Sequence, residues 1–385
     1  MRLHYLDAMR ATLMILGVVL HTSLVYSVRG GWQIHDQSTS LIFDGVVALN
    51  RLYRMQAFFI IAGFFSMMTL QKYGQRIFVQ QRLLRIALPF VTAALTLNVA
   101  QFWLQDHSPL FAHPAQSEVS LIGHLRDGTW LQHLWFLNVL LIYSVIAIPI
   151  AAVLQWHEEH RLIPGRLSLI GLVLMATIAH VGGGALMHLF PSVAYEQHLI
   201  GLINTPLLLL HLPFFVAGML LFRNQTVLAQ FSSLGRPTVW LGIATGVLHS
   251  LNAEGLTGGV LAFARDAVTF WLSCHLCFVF FAAYCSQGTQ FFRYFSEASY
   301  TIYLFHHVLV VLFAGLLTTY PWPAELKFTV VCISAFAVSL GIHEFAVRRS
   351  QILGLFLNGR AIKPRPARVQ EPLAAIGRTE LSPAE

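Results

Sequence analysis

The chain has 385 residues, a mean hydropathy of +0.64, 56% hydrophobic residues and only 11% charged ones. A soluble domain carries about 25% charged residues, so this composition excludes a water-soluble globular enzyme and specifies an integral membrane protein. The net charge of +7 and the pI of 9.4 are accounted for by basic loops on one side of a bilayer, so no nucleic-acid partner is implied.

A helix needs roughly 20 mostly apolar residues to cross the hydrocarbon core. Hydropathy gives ten such segments in chain order, at 11–28, 52–70, 84–104, 133–154, 167–187, 201–222, 237–252, 266–285, 298–318 and 327–347. They predict an all-α integral membrane protein of about ten transmembrane helices. The first follows a basic start, MRLHYLDAMR, as a signal peptide would. Its apolar run continues to Tyr26 without a small-x-small cleavage site, so a retained helix is expected. The seventh is short and contains glycine. A cytoplasmic N-terminus and an even number of spans put most of the 24 Lys and Arg on the cytoplasmic side, leaving Arg29, Arg51, Arg54, Arg126, Arg265 and Lys327 opposite. Both termini are therefore expected in the cytoplasm. Residues 1–350 are read as one membrane domain. The polar, Pro-containing 351–385 is expected to be a disordered basic cytoplasmic tail that leans on anionic lipid headgroups.

Ionisable groups inside a span are costly and mark a cavity or a partner. Arg10 and His21 are eleven residues apart, about 16 Å along a helix axis, and eleven steps of 100° return to within about 20° of the same face. One stripe thus carries an arginine at the cytoplasmic edge and a histidine at mid-bilayer, with Asp7 one turn earlier placed to pair with Arg10. FVQQRLLRIALPF puts Arg82 and Arg85 at the cytoplasmic face, where paired guanidiniums suit phosphate oxygens or, equally, lipid headgroups. QHLWFLNVLL opens the fourth span with His133 and Trp135, and SEASYTIYLFHHVLV sets His306 and His307 at mid-membrane depth. Arg54 lies just inside the outer end of the second span, where an interface anchor would sit. His180, His188, His211, His249 and His275 are read as packing histidines. The four cysteines all lie in apolar stretches, which argues against disulfides, and Cys274-His275-x-Cys277 is read as buried structure rather than a metal site.

Taken together, DAMRATLMILGVVLH with its Arg-x10-His spacing, RMQAFFIIAGFF, QRLLRIALP, HLWFLNVLLIYS and SYTIYLFHHVLV resemble, in order, the motifs of the acyltransferase-3 family of integral membrane acyltransferases. The likeness runs from about residue 3 to 347, and within the family it is strongest to the succinyltransferases of osmoregulated periplasmic glucans. Ala62 departs from the serine common in the family before Gly63, so no hydroxyl role is assigned there.

The resemblance implies a multi-pass protein of the bacterial inner membrane that moves an acyl group, from cytosolic succinyl-coenzyme A, to hydroxyls of a periplasmic glucan. No bound cofactor or metal is implied; acyl-CoA is a substrate. His21, Arg10 and Asp7 are the expected catalytic group, and Arg82, Arg85 and Arg54 the donor-binding group. His133, Trp135, His306 and His307 hold the acceptor or support His21. Direct transfer and an acyl-histidine intermediate both fit. The alternatives are an O-acetyltransferase of surface polysaccharide or lipopolysaccharide, and a proton-coupled transporter using the histidines as a relay. Against the transporter, few carboxylates lie inside the expected spans.

Overall fold

The structure, a computed structural model, describes residues 3–30, 32–107, 123–124, 128–160, 168–192, 199–253 and 260–361. Arg126 and residues 362–385, most of the expected tail, lie outside the described residues. Among those described there is no β-strand. The helices are α1 (His4–Tyr26), α2 (Leu41–Arg82), α3 (Leu88–Ala93), α4 (Val99–His107), α5 (Trp135–Glu159), α6 (Leu169–Leu189), α7 (Thr205–Arg223), α8 (Gln225–Phe231), α9 (Arg236–Ala253), α10 (Val260–Tyr284), α11 (Gln290–Leu317), α12 (Ala324–Ile342) and α13 (Gln351–Asn358).

Among the described residues, eight helical segments are long and apolar enough to cross a membrane. The second and third expected spans fall in one of them, the 65 residues Leu41–Gln105. That segment folds back on itself. Gly74 takes φ +78°, a conformation open to glycine, and Arg82 Nη2 donates to Ser66 Oγ at 2.9 Å across the reversal. The seventh expected span falls on α9, which is not among the eight.

In lipid the hydrophobic effect does not drive helices together, so close backbone approach at small residues does. The α2–α7 contact is of this kind. A Cβ on Gly63 would collide with the Phe215 carbonyl, and one on Gly218 with that of Ile60. Helix α1 lies in the middle of the bundle, against α2, α10, α11 and α12. It runs parallel to α11: Arg10 meets Ser296 at its start, and His21 meets His306 and His307 ten or eleven residues on. The single stripe expected for Arg10 and His21 therefore faces one neighbouring helix.

Two corrections concern charge. Lys327, expected at the outer surface, is fully buried, and its Nζ lies 2.9 Å from both carboxylate oxygens of Asp36, itself only 1% exposed. Arg54 is not at a helix end: α2 begins at Leu41, eleven residues before the expected span, so Arg54 sits well inside the bundle. A third correction concerns the tail. Its first residues, 351–358, form α13, which is tied down at its end. Asn358 Oδ1 accepts from Thr301 Oγ1 at 3.1 Å, and Gly359 (φ +60°) packs on the backbone of Leu84 and Arg85.

The Asp36–Lys327 pair pins the connection between α1 and α2. That strap is fixed further by Asp36 N–H donating to Val25 O, Ser40 N–H to Tyr26 O, and Asp44 accepting from Ser27 Oγ and the N–H groups of Val28 and Arg29. Removing one partner of a buried pair strands the other charge, at a cost of about 3–5 kcal/mol. Asp36→Ala should lower the Tm of the detergent-solubilised protein markedly, and the double variant Asp36→Leu with Lys327→Met should recover much of the loss; equal melting of the wild type and Asp36→Ala would contradict the role given to the pair.

Candidate active site

Each histidine reaches the bundle centre by a different local device. On α1, His21 follows Gly17 by one turn, and the bare glycine leaves room beside it: a Cβ there would lie 3.0 Å from Arg54 Nη1 and 3.2 Å from His306 Nε2. His133 arrives on a 3₁₀ turn, Thr129–Leu134, that follows Gly128 at φ +69° and contains Gln132 at φ +46°. That turn is held by Asn98, whose Nδ2 donates to Trp130 O at 2.7 Å. Asn98 ends a π-helical stretch, 94–98, that widens the chain just before α4. His306 and His307 are neighbours on α11, so their side chains leave the helix about 100° apart.

The four rings converge. His21 lies 5.3 Å from His306 and 4.9 Å from His307, and His133 lies 5.4 Å from His306 and stacks on His307 at 4.6 Å, centroid to centroid. A cavity of about 30 Å³, room for a water or two, is lined by His21, Arg54, His133, Trp135, Tyr303 and His306. Two tautomers follow from the partners. His306 Nδ1 lies 2.7 Å from the Tyr303 carbonyl and His307 Nδ1 2.7 Å from Gln101 Oε1; both oxygens only accept, so both rings donate from Nδ1. His306 then keeps its Nε2 lone pair for the cavity. His306 Nε2, His21 Nδ1 and Arg54 Nε are enclosed and hydrogen-bond to no other protein atom.

The other expected site residues divide by depth. Asp7 lies 3.8 Å from Arg10, as the one-turn spacing predicts, and Arg10 also donates to Ser296 and lies over Phe65. Arg82 bonds Ser66 and lies over Phe78, so Arg10 and Arg82 touch adjacent residues of α2. Arg85 is exposed. These arginines form one end of the molecule, roughly 16 Å along α1 from His21. Arg54, by contrast, joins the histidines at the cavity. Trp135 lines the cavity rather than an outer rim, and stacks on His211, which in turn stacks on Phe59. His275 spends both ring nitrogens on Phe231 O and Thr238 Oγ1, and among the described residues no three His, Cys, Asp or Glu are grouped to hold a metal ion.

Three residues at the site carry no mark in the sequence reading. Trp32 stacks on His21 at 5.2 Å and meets His307 edge-on at 5.0 Å. Gln101 fixes the His307 tautomer. Tyr303 donates from its hydroxyl to His133 O at 2.8 Å. A signal for Gln101 was present: Asn98, Gln101 and Gln105 recur at three and four residues within an apolar segment, the stripe of a helix face turned away from lipid.

With this geometry in place, comparison with known proteins decides the family. A family model described as an acyltransferase domain, of the acyltransferase-3 type, matches residues 3–344. The chain belongs to the acyltransferase-3 family. Curated proteins of Salmonella paratyphi B, Salmonella dublin and Salmonella typhi, each called glucans biosynthesis protein C, are 27% identical to this acyltransferase over 98% of its length and 98% of theirs. No solved structure matches it. The acyltransferase is thus a multi-pass membrane protein whose Arg-x10-His helix is α1.

Because Gly17 leaves only about 3 Å to Arg54 and His306, Gly17→Ala should leave the acyltransferase folded but lower its rate of acyl transfer at least several-fold, and Gly17→Leu should abolish transfer. Full activity of Gly17→Leu, read with unchanged size-exclusion elution, would show that the cavity is not used.

Proposed function

We propose that this acyltransferase moves a succinyl group from cytosolic succinyl-coenzyme A across the bacterial inner membrane to hydroxyls of a periplasmic glucan. The observation that carries the reading is one cavity lined by Arg54 and by three imidazoles, His21, His133 and His306, each with a buried ring nitrogen that hydrogen-bonds to no protein atom, while Arg10 and Arg82 lie together near the N-terminal end of α1. The glucans biosynthesis protein C relatives support the acceptor class.

In this reading the N-terminal end of α1 faces the cytosol, and both chain termini lie there. Arg82, Arg85 and Arg10 receive the donor's phosphates, for which guanidinium forks are suited. Asp7 keeps Arg10 oriented. The thioester carbonyl enters beside His21. An imidazole takes the proton of the acceptor hydroxyl as its oxygen attacks the carbonyl carbon; the carbon–sulfur bond breaks, the ester carbon–oxygen bond forms, and the proton passes to the departing thiolate. In the alternative route a His21 nitrogen attacks the thioester carbon, the carbon–sulfur bond breaks and coenzyme A leaves as its thiol with the imidazole's proton; the sugar hydroxyl then opens the acyl-histidine and its proton returns to the imidazole. Arg54 faces the same cavity, where it pairs with the distal carboxylate of a succinyl group. His307 and Tyr303 hold His21 and His133 in place through ring contacts and the Tyr303–His133 bond.

General base catalysis by a histidine contributes about 10²- to 10⁴-fold. His21→Ala should therefore insert and elute as the wild type does, yet modify glucan at least about 100-fold more slowly in an assay of purified protein, succinyl-CoA and periplasmic glucan read by mass spectrometry. Retained transfer would remove His21 from the chemistry. Incubation with the donor alone separates the two routes: an acylated α1 peptide indicates the acyl-histidine.

The donor is tested at Arg54. Arg54→Ala should lower transfer from succinyl-CoA more than transfer from acetyl-CoA. An equal loss with both donors, or wild-type product carrying acetyl, would favour an O-acetyltransferase in which Arg54 polarises the carbonyl instead.

A further inference from the structure

We infer that Trp32 and the amides of Gln33, Gln105 and Gln132 form a subsite that holds a neutral sugar ring of the acceptor next to the histidine cluster. The inference rests on the proposed direction of transfer and adds residues that neither the family motifs nor the catalytic reading assigns.

Four observations support it. First, the placement: the strap 27–40 leaves the C-terminal end of α1, so Trp32 and Gln33 lie on the opposite side of the histidines from Arg10 and Arg82. Second, the chemistry: Gln105 Nε2 donates to Gln33 Oε1 at 3.0 Å, and Gln33 Nε2 donates to Gln132 Oε1 at 2.8 Å, a row of amides with no charged side chain in it. Each primary amide carries two donor hydrogens and two acceptor lone pairs, so the row retains donors and acceptors beyond the bonds it makes internally. Neutral hydroxyl-rich rings are matched by such groups and by an aromatic face, and half-buried Trp32 supplies one beside the histidines, its other face being stacked on His21 at 5.2 Å.

Third, all four side chains are half-buried, so they are shaped by the protein yet reachable. Beneath them Gln101, 1% exposed, gives its oxygen to His307 while its Nε2 is enclosed with no hydrogen-bond partner in the protein. Fourth, the subsite is pre-formed against backbone preference. Gln132 holds φ +46°, a left-handed conformation unfavourable to a residue with a side chain, and that side chain is the end of the amide row. The buried Asp36–Lys327 pair fixes the strap from behind. A rigid platform of this kind spares the acceptor the entropy of ordering a loop.

The test uses the full-length protein in nanodiscs and two measurements. Binding of glucose-containing periplasmic glucan is measured without any donor, by calorimetry. Transfer is then measured as acceptor KM and kcat at saturating succinyl-CoA. The variants are Trp32→Ala, Trp32→Phe, Gln33→Ala and Gln105→Ala, each checked for unchanged elution and Tm.

Losing one stacking face or one amide bond should weaken glucan binding and raise acceptor KM about three- to tenfold. Trp32→Ala should lose the most and Trp32→Phe should stay near wild type, while kcat changes less than KM. A strap that merely held the fold together would lower Tm or kcat without this split. Wild-type affinity and KM in all four variants would overturn the subsite and leave the transferase reading standing. Wild-type protein that binds glucan but never acylates it would overturn the transferase reading, and loss of binding in the variants would still support the subsite. A wild-type protein that binds no glucan would overturn the subsite.

Discussion

Everything in this molecule is arranged around keeping imidazoles and a guanidinium out of lipid. A polar group at membrane depth with no internal partner costs several kcal/mol, so His21, His133, His306, His307 and Arg54 are stable there only on faces that meet other helices. α1 satisfies this by occupying the centre of the bundle, parallel to α11, so that one stripe of α1 meets one stripe of α11 along its whole depth. The same arrangement sets Arg10 and His21 at opposite ends of that stripe.

The glycines explain how such a polar centre is compatible with tight packing. Gly63 and Gly218 let α2 and α7 touch backbone to backbone, and Gly17 leaves space for Arg54 and His306. Small residues thus do two unlike jobs: at the first pair they close a contact, at the third they keep one open. The π-helical turn before α4 does a further job, widening the helix where Asn98 reaches back to hold the turn that carries His133.

Chemically the centre is unusual in having two of its imidazoles oriented by a backbone and an amide oxygen rather than by carboxylates. The Tyr303 carbonyl and the Gln101 amide each accept from an Nδ1, so two of the four rings have assigned tautomers without any negative charge beside them. Orientation comes without a buried carboxylate beside these two rings, and the His306 nitrogen left over is enclosed with no hydrogen-bond partner in the protein. Among the described residues the buried carboxylate is that of Asp36, which is paired with Lys327 and serves the strap instead.

Much of this was legible in the sequence. Composition and hydropathy determine a helical membrane protein, because nothing in lipid can satisfy a backbone except the helix itself or a closed barrel. The spacing of Arg10 and His21 determines that they share a face, and the cost of ionisable groups in a span singles out His306 and His307 as inward-facing. Tertiary structure alone decided the rest. That Arg54 and Lys327 lie inside, that Leu41–Gln105 doubles back at Gly74, and that Trp32 stacks on His21 all depend on contacts between residues far apart in the chain. Periodicity reports only which face of one helix is apolar. It carries no record of which other helix, or which loop, will cover the face that is not.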